Sequence, residues 1–205
     1  MKVKAFAAQS ATTPLKMYEF DRREPNKNDV EFAVKFCGVC HSDIHTARGD
    51  WGATAYPCVP GHEIVGVVTR VGASVQNFKV GDRVGVGCMV NSCRDCVACK
   101  QSLENYCQND PTWTYGSQDR IDGSVTRGGY SSVMVCNEDF VVAIPDNLTL
   151  EEAAPLLCAG ITTYSPLKHW GAEKGKKVGV VGLGGLGHMA VKYAKAMGAE
   201  VFVIT

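Results

Sequence analysis

The sequence has little that would send it to a nucleic acid or into a membrane. Lys+Arg and Asp+Glu are both 21, so the 205 residues carry no formal net charge. Without a basic patch or a charged tail, a phosphate backbone finds nothing to hold. No apolar run approaches the roughly 20 residues of a membrane helix. The opening residues, Met1-Lys-Val-Lys-Ala-Phe-Ala-Ala8, lack a long apolar core. They read as a first strand, not a signal peptide. Internal repeats and low-complexity segments are missing as well. What remains is a globular composition, 45% hydrophobic, enough for one large domain or two small ones. The one excess is cysteine, of which there are ten. With no signal peptide and with two-residue spacings, metal ligation reads better than disulfides.

Residues 1–150 predict mostly β structure. Short apolar alternations recur at Val3–Phe6, Val30–Phe36, Ile64–Val68, Val80–Val86 and Val133–Val135, with Gly, Pro, Asn and Asp between them. Such punctuation suits a compact barrel or sandwich. Near residue 150 the texture changes. Leu150-Glu-Glu-Ala-Ala-Pro155 opens a short helix, Lys177–Val181 is an apolar strand, His188–Met197 an Ala-rich helix, and Ala199–Ile204 a second apolar strand. Strand, glycine turn, helix, strand is how a parallel α/β domain begins. A lone unit of this kind leaves sheet faces uncovered. The sequence is therefore expected to be a fragment of a longer protein, short of on the order of 100 residues.

The strongest signal is Cys93-Arg-Asp-Cys96-Val-Ala-Cys99, with Cys107 eight positions on. Two-residue gaps aim neighbouring thiolates at a common centre, and four thiolates close a zinc shell with no room for water. The expected role is structural, pinning the loop from Val90 to Asn109. Free thiols, disulfides and an iron–sulfur cluster are weaker alternatives.

A second stretch differs in kind. Cys37-Gly-Val-Cys40-His41-Ser42-Asp43 is followed by Pro60-Gly61-His62-Glu63. Cys40 and His62-Glu63 offer too few donors for a closed site, and Cys158, at the junction of the two regions, is placed to add one. Cys40, His62 and Cys158 would leave one position for water or substrate, as a catalytic zinc needs. Such an ion would lower an alcohol's pKa as a Lewis acid. Glu63 could exchange in as a ligand, and Asp43 could accept the other imidazole N–H of His62. Ser42 and His45 could pass a proton to solvent. Each alone would be an ordinary loop hydroxyl and a surface imidazole.

The loop Gly182-Leu183-Gly184-Gly185-Leu186-Gly187 fits G-x-G-x-x-G between a strand and a helix. Gly182 permits the turn, Gly184 lets a pyrophosphate approach, and Gly187 allows close packing, with the helix N-terminus facing the phosphates. A tight structural turn is the plainer alternative. Where an acidic residue would grip a ribose 2′-hydroxyl, the second strand ends at neutral Thr205. That favours NADP over NAD.

With these residues in view, the chain resembles the zinc-dependent medium-chain alcohol dehydrogenases, and within them the cinnamyl-alcohol-dehydrogenase-like, NADP-dependent branch. The resemblance lies in Gly61-His-Glu-Ile-Val-Gly66 with Gly72, in Cys40-His-Ser-Asp43, in the Cys93–Cys107 lobe, in Ala154–Ser165 and in Gly182–His188. It implies a mixed β and α/β fold. A GroES-like β-barrel catalytic domain over 1–152 would be followed by an incomplete Rossmann domain over 153–205. It implies two zincs per chain, one catalytic and one structural, and NADP(H). Ser42 and His45 would form the proton relay, His41 would help hold the pyrophosphate, and Thr162 would face the nicotinamide. Trp113, Trp51 and Tyr56 would line a pocket for aromatic or other bulky aldehydes. The implied partner is a small alcohol or aldehyde in a cytoplasmic homodimer, with no nucleic acid and no membrane. Rival expectations are a zinc-stabilised binding module without catalysis, a polyol dehydrogenase, or a zinc-free quinone reductase. Two zinc sets argue against the last.

Overall fold

The computed structural model describes all 205 residues, which divide into two compact units, Met1–Ala154 and Pro155–Thr205. The first unit is mainly β. Its elements in chain order are β1 (Lys2–Ala7), β2 (Lys16–Asp21), β3 (Asp29–Cys37), α1 (His41–Arg48), β4 (Ile64–Val71) and β5 (Arg83–Val86). Then come β6 (Met89–Asn91), α2 (Val97–Lys100), β7 (Thr112–Trp113), β8 (Val133–Asn137), β9 (Val142–Ala143) and α3 (Leu150–Ala153). Five strands form one antiparallel sheet in the order β8-β3-β4-β5-β9. β1 and β2 form a hairpin, bridged to the segment before β8 at Ala5 and Ser131.

Period-2 alternation gives β1 its buried face of Val3, Ala5 and Ala7, which packs with Phe20 and Val59. The larger core joins Val30 and Phe32 of β3, Ile64 and Val68 of β4, Val84 of β5 and Met134 of β8. Each side chain of Phe32 or Ile64 type removed from water contributes about 1.5–3 kcal/mol before entropy is subtracted. Two carboxylates buried on β3 are paired. Asp29 meets Arg23, and Glu31 meets Arg70 and the Thr69 hydroxyl.

The pairing of β3 with β4 sets up everything that follows. Cys37 at the end of β3 stands opposite Ile64 at the start of β4, and Gly38 N–H donates to the Glu63 carbonyl at 3.0 Å. The chain leaving β3 and the chain entering β4 therefore lie side by side, although His62 is 22 positions after Cys40. In the same way the β6–β7 pair closes the base of the loop that carries the four clustered cysteines.

The second unit holds α4 (Ala159–His169), β10 (Lys177–Val181), α5 (Gly185–Ala196) and β11 (Glu200–Ile204). β10 and β11 pair in parallel, with α5 as the crossover. No helix in the chain is long and apolar enough to cross a membrane.

Several elements differ from the sequence expectation. β5 begins at Arg83, not Val80, because Gly81 at φ +93° turns the chain. Asp82 fastens that turn by accepting from Lys79. α5 begins at Gly185, three residues before His188, so part of the glycine loop is already helical. The sequence pattern also passed over β2, α1 and α4.

Candidate metal and cofactor sites

Cys40 is the N-cap of α1. Its backbone N–H donates to Asp43 Oδ2 at 3.0 Å, one half of a capping box that starts the helix. The other carboxylate oxygen of Asp43 faces His62 Nδ1 at 2.9 Å and accepts the Gly61 N–H at 2.9 Å. One carboxylate, 2% exposed, thus binds the segments bearing both Cys40 and His62. The Tyr130 hydroxyl donates to it at 3.4 Å, and Tyr115 Oη stands 3.4 Å from His62 Nδ1. Burial raises the Asp43 pKa, but the His62 hydrogen bond and charge, with the Cys40 N–H and the Tyr115 hydroxyl, outweigh it. The carboxyl sits below its ordinary value.

With Nδ1 of His62 directed at Asp43, Nε2 is the nitrogen left to ligate. Donor atoms of Cys40, His62 and Glu63 lie within 4.8 Å of one another, and His62 and Glu63 are buried. A soft thiolate, an imidazole and a carboxylate at this spacing fit zinc, short of a closed shell. Gly38 makes room for the carboxylate, since a Cβ there would come within 1.9 Å of Glu63 Oε2.

α1 also places the other polar residues of this segment. Ser42 Oγ is 3.6 Å from Cys40 Sγ. His45 follows on the same helix and its ring lies 6.1 Å from that of His41, which is exposed. His45 Nδ1 stands 2.9 Å from Asp50 Oδ2, and its ring stacks on Trp51 at 5.1 Å. Asp50, Tyr115 and Tyr130 were not found from the sequence. Asp50 lies just past the Gly49 C-cap, where a cap search could have reached it. The tyrosines, 53 and 87 residues from their partners, left no local signal. Tyr56 donates to the Ala47 carbonyl at 2.9 Å, and Trp113 lines a groove of about 780 Å³ with Asn109, Asp110, Ser117 and Arg120.

The four thiols of Cys93, Cys96, Cys99 and Cys107 form a second cluster with all donors within 4.8 Å. Sulfurs each about 2.3 Å from one tetrahedral zinc stand roughly 3.8 Å apart, and Cys93 Sγ and Cys99 Sγ are 3.8 Å apart. Backbone N–H groups point at the sulfurs, Cys96 to Cys93 at 3.3 Å, Gln108 to Cys96 at 3.4 Å and Cys93 to Cys107 at 3.5 Å. The N–H groups of Cys96 and Asp95, with the Asn109 side chain, bring Cys93 down to about 5. Thiolates, not thiols, are stabilised by such donors.

In the second unit, Gly182 follows β10 at φ +81° and donates to the Ile204 carbonyl at 2.9 Å. The loop is thereby tied to the end of β11, next to Thr205. A Cβ on Gly187 would lie 2.1 Å from the Gly182 carbonyl, so only glycine allows α5 to start where it does. Around Gly184 and Gly185 a Cβ would meet nothing within 4 Å. That open side of the helix N-terminus is where an anion is favoured. Cys158 is the N-cap of α4 in this unit, and Thr162, one turn on, is exposed.

The first unit is thus a mainly β domain with two zinc-type donor clusters, and the second is a parallel strand–helix–strand unit with a glycine-rich turn. The chain belongs to the alcohol dehydrogenase family: residues 26–146 match the alcohol dehydrogenase GroES-like domain. It is 59% identical over 204 residues to NADP-dependent alcohol dehydrogenase C 1 of Mycolicibacterium smegmatis, covering 99% of this chain and 58% of that one. It is 57% identical to cinnamyl alcohol dehydrogenase 2 of Rauvolfia serpentina, covering 99% of this chain and 57% of the relative. Among solved structures, a cinnamyl alcohol dehydrogenase from Sorghum bicolor superposes with a TM-score of 0.96 at 51% identity, over 99% of this chain and 58% of that one. A Helicobacter pylori enzyme of the same name, complexed with NADP(H), gives 0.96 at 48% identity, over 100% and 59%. The chain spans less than two thirds of the length of each.

Proposed function

We propose that the protein catalyses reversible hydride transfer between NADP(H) and a primary alcohol or aldehyde, with aromatic and other bulky aldehydes among its substrates. The observation that carries this reading is the open donor set of Cys40, His62 and Glu63 held by one buried carboxylate. We assign Cys158 as the thiolate that completes the set, with Glu63 able to exchange in. Zinc, when bound, supplies Lewis acidity toward a carbonyl or alcohol oxygen. NADPH, when bound, supplies the hydride.

The chain's own residues do the rest. Asp43 accepts from His62 Nδ1 and so fixes the tautomer that leaves Nε2 to ligate. Ser42 receives or returns the proton of the substrate hydroxyl and exchanges it with His45, whose Nδ1 is held by Asp50. The Gly182–Gly187 loop and His41 hold the pyrophosphate, and Thr162 supports the nicotinamide. Neutral Thr205 tolerates a 2′-phosphate. Trp51, Tyr56 and Trp113 line the substrate pocket. The four-cysteine cluster holds a second, structural zinc. The names of the bacterial and plant relatives support an NADP-linked alcohol dehydrogenase, and we place the protein in the cytoplasm as a homodimer.

A panel of alcohols and aldehydes assayed with NADPH and NADH tests the reading, with zinc counted on the same samples. Turnover of cinnamaldehyde with NADPH and two zincs per chain is expected. One zinc, no cofactor binding and no turnover would instead leave a zinc-stabilised binding module.

A further inference from the structure

A second kind of site lies in the first unit, outside both metal clusters, where a buried guanidinium forms no direct ion pair. Arg22, just after β2, is 9% exposed. Its Nη2 donates to the Arg127 carbonyl at 2.9 Å, to the Gly128 carbonyl at 3.5 Å and to Ser131 Oγ at 3.2 Å. All three acceptors are neutral. The nearby carboxylates of Asp29 and half-buried Asp119 are both engaged by Arg23, and no carboxylate forms an ion pair with Arg22. Nε of Arg22 has no partner, nor has the buried Nε of Arg127. The guanidinium carbons of both residues lie 5.0 Å from the Phe20 ring centroid, so two cations share one aromatic ring. Burial, then the charges of Arg127 and Arg23, push Arg22 down to about 9, with the Asp119 carboxylate opposing them only in part. An unpaired buried charge is costly, and an aromatic face offsets only part of it.

A cavity of about 30 Å³ lies beside these groups, lined by the guanidinium-bearing Arg22, Arg23 and Arg127, the carboxylate-bearing Asp21 and Asp119, and Thr114, Ser124 and Thr126. Its cationic side chains outnumber its anionic ones, and Asp119 is already engaged by Arg23. One water needs roughly 10–15 Å³. The space therefore suits a monatomic ion or one or two waters and excludes organic acids. A water would fill it and leave the charge as it is, whereas an anion would fill it and offset the charge.

We propose that this cavity is a binding site for a halide-sized inorganic anion such as chloride, with Arg22 and Arg127 as its cationic walls. The anion ties the end of β2 to the Arg127–Ser131 segment. Because the wall exists only in the folded chain, occupancy stabilises the fold. The site does not depend on the dehydrogenase reading.

The test is crystallographic. Crystals of the zinc-loaded protein grown in sodium bromide should show an anomalous bromide peak in the cavity, against Arg22 and Arg127. Replacing sodium gluconate by sodium chloride at equal ionic strength should raise the melting temperature by about 2–4 °C. Arg22→Met should abolish that rise. Should Arg22→Met fail to fold, the bromide position decides alone. Bromide found only at a zinc ion, or a cavity holding water or nothing, overturns the proposal.

Discussion

Asp43 Oδ1 lies 2.9 Å from His62 Nδ1, while the other oxygen of the same carboxylate accepts the Cys40 N–H at 3.0 Å. A single buried anion thus fixes the backbone that presents a thiol and the ring that presents an imidazole. Asp43→Asn keeps the shape but turns one acceptor oxygen into a donor. It should weaken zinc at the Cys40–His62 set by about 10–100-fold and leave the four-cysteine zinc in place. Chelator competition, with zinc released in two steps, measures this. Equal affinities in both proteins would show that Asp43 does not support the site.

Cys96→Ser removes one of four clustered thiols and disturbs a sulfur that accepts from Gln108. One zinc per chain should be lost. The melting temperature should fall by on the order of 5 °C, since about 2–4 °C accompanies each kcal/mol in a chain of this size. An unchanged melting curve would mean that no metal braces the Cys93–Cys107 loop.

Two glycines of one motif should behave differently. Gly187→Ala forces a Cβ against the Gly182 carbonyl and should destabilise the second unit by about 1–3 kcal/mol. Gly184→Ala meets no protein atom, so the melting curve should stay as it is. Its added methyl takes space we assign to the pyrophosphate, and NADPH affinity should fall. Melting curves and NADPH fluorescence titrations separate the two effects. Tight NADPH binding by Gly184→Ala would remove the phosphate assignment from this loop.

His45→Ala should lower kcat by on the order of 10²-fold, the low end of what a positioned acid–base group supplies, with both zincs retained. Asp50→Asn should do the same to a smaller degree, because it holds His45 Nδ1. Turnover and zinc content measured on the same samples check both. Full turnover by His45→Ala would remove it from the proton path.

Much of this was legible in the sequence where the chemistry is local. Cys93, Cys96, Cys99 and Cys107 fall within fifteen residues, and their spacing alone predicts the cluster that the fold assembles. Gly182–Gly187 is equally local, and the strand before it and the helix after it are both found. Cys40 and His62 come together through the β3–β4 register, which the apolar alternations indicate without specifying. α1 was missed because Cys-His-Ser-Asp-Ile-His has too few apolar residues for a helical stripe. Its start is set by the Asp43 cap instead. α4 was missed for a related reason, since Gly160, the β-branched Ile161, Thr162 and Thr163, and Pro166 are all poor helix formers that tertiary packing overrides. Arg22 drew no notice, since a buried arginine without an ion pair is a property of the folded unit and not of any short stretch.

Zinc content and NADPH-dependent aldehyde reduction, measured together on wild-type and His62→Ala protein purified at the length produced by its source, test the central claim most directly. The wild type should carry two zincs and turn over, and His62→Ala should keep one zinc, stay folded and lose turnover. Turnover retained by His62→Ala, with the Cys40–His62 set shown to be empty of metal, would contradict the assignment.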